Sequence, residues 1–480
     1  MNKNLQTGII SVFFIAVILR LLFFTAQNTW NSEVIENKII PMGTDQRGYH
    51  QLAIVLLGYG KLSFNPDLPP VVLRTPGYPL FISAIYLFLG QNTWLVILIQ
   101  NFLDSLTAVI IFLTISLLFN SKTGLITGIL YAIEPHMILY ANTFYSDTLF
   151  VFFLSLFFYY LIKFIRQSEK KYLPVIFSAL FLGISVLVKP AGAYLPYIVI
   201  IVLLFYFGKS LRAGLKFSVI FFLVYLFTIS PWLIRNKIHY GEFFLSNSGE
   251  YNLLAINITP MEIPKRNKPQ HVVERELRME ADSLMHAEGV NPVWNKEPND
   301  YWEGLNLQQD FNKTKYWKKV ALKYIKNEPV TFAKYYILGI LHTLFNLGTS
   351  EFAENLNLVK EAKSVNLKSE PNLINLIKKF FTEKSLAEIL LGFFIALYLF
   401  VVYSSLLIGL IKIVKSENRF LYLVPVLFAL YFILIAGAGG LARFKMPAVP
   451  FYIGISAYGS ISILESFRNI TLPFIKKPKR

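Results

Sequence analysis

GIISVFFIAVILRLLFFTA, residues 8–26, carries a single charge, Arg20, in nineteen positions. An α-helix needs about 17–25 mostly apolar residues to cross a ~30 Å hydrocarbon core. This run has that length, exceeds a signal-peptide core and lacks a small-residue cleavage site, so it reads as a retained span. Similar runs recur at about 94–119, 124–143, 148–164, 172–188, 192–208, 215–233, 386–411, 420–436 and 447–465. Because hydrocarbon offers the backbone no hydrogen-bond partner, repeated runs of this kind imply a helical membrane domain. The fold class expected is therefore all-α and polytopic.

Composition agrees. Of the 480 residues 55% are hydrophobic and 16% charged, whereas a soluble domain carries roughly a quarter charged residues. The net charge of +17, from 46 Lys+Arg against 29 Asp+Glu, would suggest nucleic acid in a soluble chain. In a membrane protein it follows from cytoplasmic loops that gather Lys and Arg, and it also suits anionic or phosphorylated lipids. There is no cysteine, which excludes disulfides and thiolate metal sites.

The basic residues orient the spans. Lys122, the cluster Lys163, Arg166, Lys170 and Lys171, then Lys209, Arg212 and Lys216, then Lys412, Lys415 and Arg419, and the tail Lys476, Lys477, Lys479 and Arg480 all fall on one side if ten spans are counted. Both termini are then cytoplasmic and the protein lies in the cell membrane. Segments 76–90 and 331–347 would invert this pattern if they crossed, so they are expected in the outer interface, as is 45–57. The first outer loop covers 27–93. Three modules follow: 1–235, a polar outer insert at 236–385, and C-terminal spans at 386–480. The insert is expected to hold helices at 271–287, with Val273, Leu277 and Leu284 on one face, and at 313–326, with lysines 313, 315, 318, 319, 323 and 326 around Trp317 and Val320. No internal repeat is evident.

Ionisable residues at membrane depth are costly and point to function. Asp45 with Tyr49 and His50, Arg74 before Thr75-Pro76-Gly77-Tyr78-Pro79, Asp147, Lys189-Pro190, Arg235-Asn236 and Arg443 all stand at the outer ends of the expected elements. Each has a plainer reading. Asp45 or Asp147 can cap a helix. Arg74 and Arg20 can snorkel to headgroups, and Glu134, in the third span, reads as structural. The remaining histidines show no metal-ligand spacing, so no metal is indicated. No glycine-rich phosphate loop of the kind nucleotide sites use is present.

In order along the chain, Asp45–Ala53, Arg-Thr-Pro-Gly-Tyr-Pro (74–79), Ser146-Asp147, Lys189-Pro190, Pro-Trp-Leu-Ile-Arg-Asn (231–236) and Arg-Phe-Lys-Met-Pro (443–447) resemble glycosyltransferase family 39. These are type C membrane glycosyltransferases, related to protein O-mannosyltransferases and lipid A aminoarabinose transferases. The resemblance covers roughly 1–240 and 436–460 and leaves the insert largely uncovered. It implies a type C fold with about 10–13 transmembrane helices, interface helices and an extracytoplasmic α-rich insert. It also implies an inverting transferase of hexose or pentose from a polyprenyl (undecaprenyl) phosphate to an acceptor hydroxyl on the outer face. The acceptor would be a glycan, lipid or protein, with no cofactor and no nucleic acid. Asp45 matches the position of the general base and Asp147 that of the second carboxylate, where Glu is commoner. Arg74, Arg235 and Arg443, with Lys189, would face the donor phosphate, and Tyr49, His50 and Tyr78 would line the substrate cavity.

These residue types suit the reaction. A carboxylate can accept the acceptor's proton, and fixed cations stabilise charge that grows on the leaving phosphate, with Arg binding its oxygens in pairs. Two other classes compete. A lipid-linked saccharide flippase or transporter would be expected to show inverted repeats and midplane charges. An O-antigen-type polymerase shares the substrate class but has no need of residues 74–79.

Overall fold

The computed structural model describes residues 3–42, 44–208, 210–293, 302, 304, 310–359 and 373–461. Lys209, the basic tail at 476–480, residues 462–465 of the last expected span and parts of the insert lie outside the described residues. Those described form helices and turns, with no strand among them.

The N-terminal half runs α1 (Lys3–Gln27), α2 (Asp45–Tyr59), α3 (Gly77–Leu89), α4 (Thr93–Leu118), α5 (Ser121–Ala132), α6 (Pro135–Ala141), α7 (Asp147–Arg166), α8 (Tyr172–Val188), α9 (Leu195–Phe207) and α10 (Leu211–Tyr240). The insert contributes α11 (Thr259–Arg266), α12 (Gln270–Ala287), α13 (Phe311–Asn327), α14 (Pro329–Phe345), α15 (Thr349–Asn355) and α16 (Leu373–Glu383). The chain then returns through α17 (Leu386–Val414), α18 (Arg419–Ile435) and α19 (449–461). Among the described residues six helices are long and apolar enough to cross a membrane, or seven when α5 and α6 are counted as one bent span. The shorter apolar helices α8 and α18 and the described part of α19 stand at the other three expected spans. The protein is a multi-pass membrane protein.

Packing shows which faces meet lipid. Ile10, Phe14, Ile18 and Leu22, four residues apart on α1, are all more than half exposed. Such a stripe is unfavourable in water and costs nothing in hydrocarbon, where helices need bury no apolar face. The interior is formed by α4, α5, α7 and α8, with Phe150, Phe157, Phe158 and Phe164 of α7 fully buried. In α17 and α19, Gly409 and Gly459 admit the partner backbone so closely that a Cβ would collide with the carbonyls of Ile455 and Ser405, a small-residue crossing typical of membrane helices.

Two expectations are corrected. The third span is not one helix: α5 and α6 meet at 55°. Pro135 lacks an N–H, and the residue before a proline avoids the helical region. Glu134 accordingly adopts ψ 116° and caps α6, accepting from the Met137 N–H at 2.5 Å. Nor does Arg20 snorkel. It is wholly buried, its Nε 2.6 Å from Asp104 Oδ2 on α4, while Tyr131 of α5 donates to Asp104 Oδ1 at 2.7 Å. With Arg20 also donating to the Ala132 carbonyl at 2.9 Å, the group pins α1, α4 and α5 together.

In the insert, α12 and α13 pack as the periodicity predicts, with one shift of face. Val273, Leu277, Ala281 and Met285 are buried against Trp317 and Val320, and Leu284 only flanks them. Lys313, Lys315, Lys319 and Lys323 are solvated partners of Asp282, Glu242, Glu288 and Glu280.

Candidate active site

Three helix ends and two loops meet at one place. Asp45 is the first residue of α2, and its neighbour Thr44 supplies the cap, accepting from the Arg47 N–H at 3.4 Å. The Asp45 carboxylate is therefore not needed as a cap. It meets Arg74 Nη2 at 2.5 Å through Oδ1 and Arg443 Nη2 at 3.6 Å through Oδ2. Asp147, first in α7, bonds Lys189 at the end of α8 and lies 3.9 Å from Arg443 Nε. Arg443 thus bridges the two carboxylates.

Aromatic side chains hold the cations in place. The Arg74 guanidinium lies 4.6 Å from the centre of the Tyr49 ring and donates to its hydroxyl at 3.3 Å. The same hydroxyl is 3.3 Å from Ser146 Oγ, beside Asp147. Arg443 lies 4.2 Å from the Tyr145 ring. Planar guanidinium stacking of this sort fixes orientation while leaving the N–H edges free for a ligand.

The two carboxylates differ in access. The Asp147 side chain is 2% exposed and that of Asp45 44% exposed, while Arg74, Arg443 and Lys189 stay 17–23% exposed. Three cations against two carboxylates leave a net charge of +1, open on one side, which an incoming anion would neutralise. Arg74 first, then Arg443 and Lys189, hold the Asp45 carboxyl well below the usual carboxylate range although burial opposes them. Asp45 in turn raises Arg74, against burial.

Other expected residues sit further off. The Arg235 guanidinium donates to the Val71 carbonyl at 3.3 Å and to Asn236 Oδ1 at 2.6 Å, stacked 4.3 Å from the Trp232 ring. It braces the loop ahead of Arg74 from behind. Tyr78 is fully buried beneath Tyr49, donating to Gln100 Oε1 at 2.6 Å. His50 Nδ1 pairs with the Tyr86 hydroxyl at 2.8 Å, its ring packed beside Phe144; burial pushes its pKa down to about 4. Tyr78 stands edge to face against Tyr49, 4.8 Å between ring centres.

Sequence reading named Ser146 only as part of the Ser146-Asp147 motif and overlooked Tyr145, which the adjacency to Asp147 could have flagged. It also overlooked Glu351 of α15, bonded to the Tyr140 hydroxyl and acting electrostatically on Tyr140 and Tyr145; nothing in the local sequence marks it. Among the described residues no group of three or more His, Asp or Glu is placed to hold a metal ion.

Residues 73–234 match the family described as dolichyl-phosphate-mannose-protein mannosyltransferase. No curated protein matches the chain in sequence. Among solved structures, the archaeal oligosaccharyltransferase AglB from Archaeoglobus fulgidus, in complex with an inhibitory peptide and a dolichol-phosphate, superposes with a TM-score of 0.52 at 14% identity over 99% of this chain and 52% of its own. The same enzyme tethered to an acceptor peptide gives 0.53 at 13%, over 98% and 50%. This chain has the type C glycosyltransferase fold. It spans about half the length of the oligosaccharyltransferase. ArnT from Cupriavidus metallidurans bound to undecaprenyl phosphate matches at 13% identity and TM-score 0.40, over 98% of this chain and 81% of its own. In this chain the matched family segment runs from the residue before Arg74 through Asp147 and Lys189 to Ile234, within α10 and one residue short of Arg235, so it holds three of the five charged groups of the cluster. Asp45 and Arg443 come from outside it.

Proposed function

We propose that the protein is an inverting glycosyltransferase that moves a sugar from a polyprenyl phosphate to an acceptor hydroxyl at the outer membrane face. The observation that carries this reading is the half-open cluster in which Arg74, Arg443 and Lys189 surround Asp45 and Asp147. The acceptor oxygen attacks the anomeric carbon from the face opposite the phosphate. The new C–O bond forms as the bond to the phosphate oxygen breaks, the acceptor proton passes to Asp45, and the lipid phosphate leaves with the bonding electrons. Arg74 and Arg443 meet the charge that grows on that phosphate, an interaction stronger in the transition state than before it. Asp147, buried and bound to Lys189, holds Arg443 in place.

Paired with two arginines, Asp45 is a weak base. A donor phosphate that engages those arginines withdraws their charge from Asp45 and raises its basicity. Proton acceptance is thereby linked to donor occupancy.

Helix length supports this sidedness. Asp147 opens the twenty-residue α7, whose other end carries Lys163 and Arg166, a distance of about 30 Å at 1.5 Å per residue. By the positive-inside rule the basic end is expected in the cytoplasm, which supports an outward-facing cluster, on the side where nucleotide sugars are not supplied. The test offers purified protein in nanodiscs either a polyprenyl-phosphate sugar or a panel of nucleotide sugars, with a crude acceptor extract. Transfer from the lipid-linked sugar is expected. Transfer from nucleotide sugars alone, or lipid translocation without transfer, overturns the reading.

A further inference from the structure

The insert has a direct connection to the two arginines. At one end, Ser246 Oγ donates to the Leu73 carbonyl at 2.8 Å and the Asn247 N–H to the Val72 carbonyl at 3.0 Å. Both carbonyls lie immediately before Arg74. At the other end, Asn257 Oδ1 accepts from the Ala438 N–H at 3.0 Å while its amide donates to the Asn252 carbonyl at 2.8 Å. Ala438 sits in the glycine turn that leads into Arg443: Gly437 and Gly440 have φ of +57° and +69°, conformations that favour glycine. A Cβ on Gly437 would stand 2.6 Å from Asn257 Oδ1, and Gly439 lies directly under the Phe444 ring, so turn, Asn257 and Arg443 segment pack as one unit.

Between the two ends the chain forms a π-helix, Asn252–Ile258. Such wide turns are rare and tend to occur at functional sites. Leu254 and Ile258 anchor it in the insert core around Trp317, and Asn247 Nδ2 bonds Thr314 Oγ1 at 2.6 Å. The segment is therefore tied to a folded body as well as to both loops.

We propose that residues 246–258 form a strap that sets the separation of Arg74 and Arg443, with Asn257 as its positioning residue. The arginines come from loops more than 360 positions apart in sequence and repel each other. Holding two like charges at one spacing before the ligand arrives spares reorganisation when phosphate binds. The consequence for phosphate binding rests on the donor reading above; the spacing itself does not.

The experiment separates the two. In the cysteine-free chain, nitroxide labels are attached at the exposed positions Asp67 and Leu441, one on each loop, and their distance distribution is measured by pulsed electron resonance. Asn257→Ala should broaden it. Undecaprenyl phosphate affinity should fall about tenfold, the scale of one lost directional hydrogen bond. Asn257→Asp keeps both the shape and the acceptor for the Ala438 N–H and should hold both readouts near wild type. In an Arg443→Ala background, Asn257→Ala should cost no further affinity, since neighbours acting through one group are non-additive. An unchanged distance distribution in Asn257→Ala, or additive affinity losses, overturns the strap. If the distances respond while the wild type binds no undecaprenyl phosphate, the strap stands and the donor assignment falls.

Discussion

Asp45 and Asp147 are chemically alike, and their surroundings separate them. Asp147 is closed in by Lys189 and Arg443, whereas Asp45 keeps an open edge. If Asp45 takes the proton, Asp45→Asn lowers turnover at least a hundredfold or so, the usual scale of general-base loss. The same change removes the counter-charge that competes for Arg74 and Arg443, so undecaprenyl phosphate should bind more tightly than to wild type. Transfer assays and lipid titration on one preparation check this pair, and wild-type turnover in the variant would return Asp45 to a structural role. His50 makes a different prediction. Burial, helped by Arg47, places its pKa in the fold near 4, below that of an unfolded histidine at about 6.5. Protonation therefore favours unfolding: the stability present above pH 6.5 is eroded as pH falls toward 4, by on the order of 2–3 kcal/mol. His50→Phe, filling the same space beside Tyr86 and Phe144, should lose less melting temperature than wild type between pH 7 and 4.5.

Among the elements, α3 shows what the glycine of the 74–79 motif does. A Cβ on Gly77 would lie 2.7 Å from both the Leu187 carbonyl and the Val188 N–H at the end of α8. Close approach, not backbone freedom, demands the glycine, and Lys189 follows on that same turn. Gly77→Ala should push α3 from α8, lowering stability by about 1–3 kcal/mol and displacing Lys189 from Asp147. Loss of both melting temperature and transfer is expected; a variant with wild-type activity would show that Lys189 is not placed by this crossing. The segment 74–79 was legible as a motif, but the partner that explains its glycine lies 110 residues on and leaves no mark near position 77. Similarly, the expected span 124–143 ran straight through Pro135, while the 55° bend there depends on Glu134 turning back to cap α6.

For the whole molecule, sidedness is the testable property. Lys122, Lys171 and Lys415 stand at the helix ends remote from the cluster, and the insert shares the cluster's side. Single cysteines, placed in a chain that has none, should react with an impermeant reagent from outside at positions within α12 and α13 and stay protected at 122, 171 and 415. Labelling from outside at 122 would invert the topology and move the site to the cytoplasm.

The chain itself determined its class, because span length and loop charge are local quantities that a bilayer reads directly. The positions of the spans followed, the break in the third excepted, as did the helices of the insert, where apolar spacing marks the buried face to within one position. It also singled out Asp45, Arg74, Asp147, Lys189 and Arg443, since charges at membrane depth stand out in an apolar sequence. Which of these charges meet, and through which atoms, only the tertiary structure decided. Arg20 found Asp104 across helices, not the headgroups, because a buried ion pair needs a partner that lies 84 positions away. Arg235 turned to the backbone of Val71 and away from the carboxylates. Asn257, an unremarkable asparagine in a polar insert, gained its place because α14 and the Gly437–Gly440 turn fold against it. Contacts between distant segments depend on the shapes of both partners together, and no window of sequence contains both.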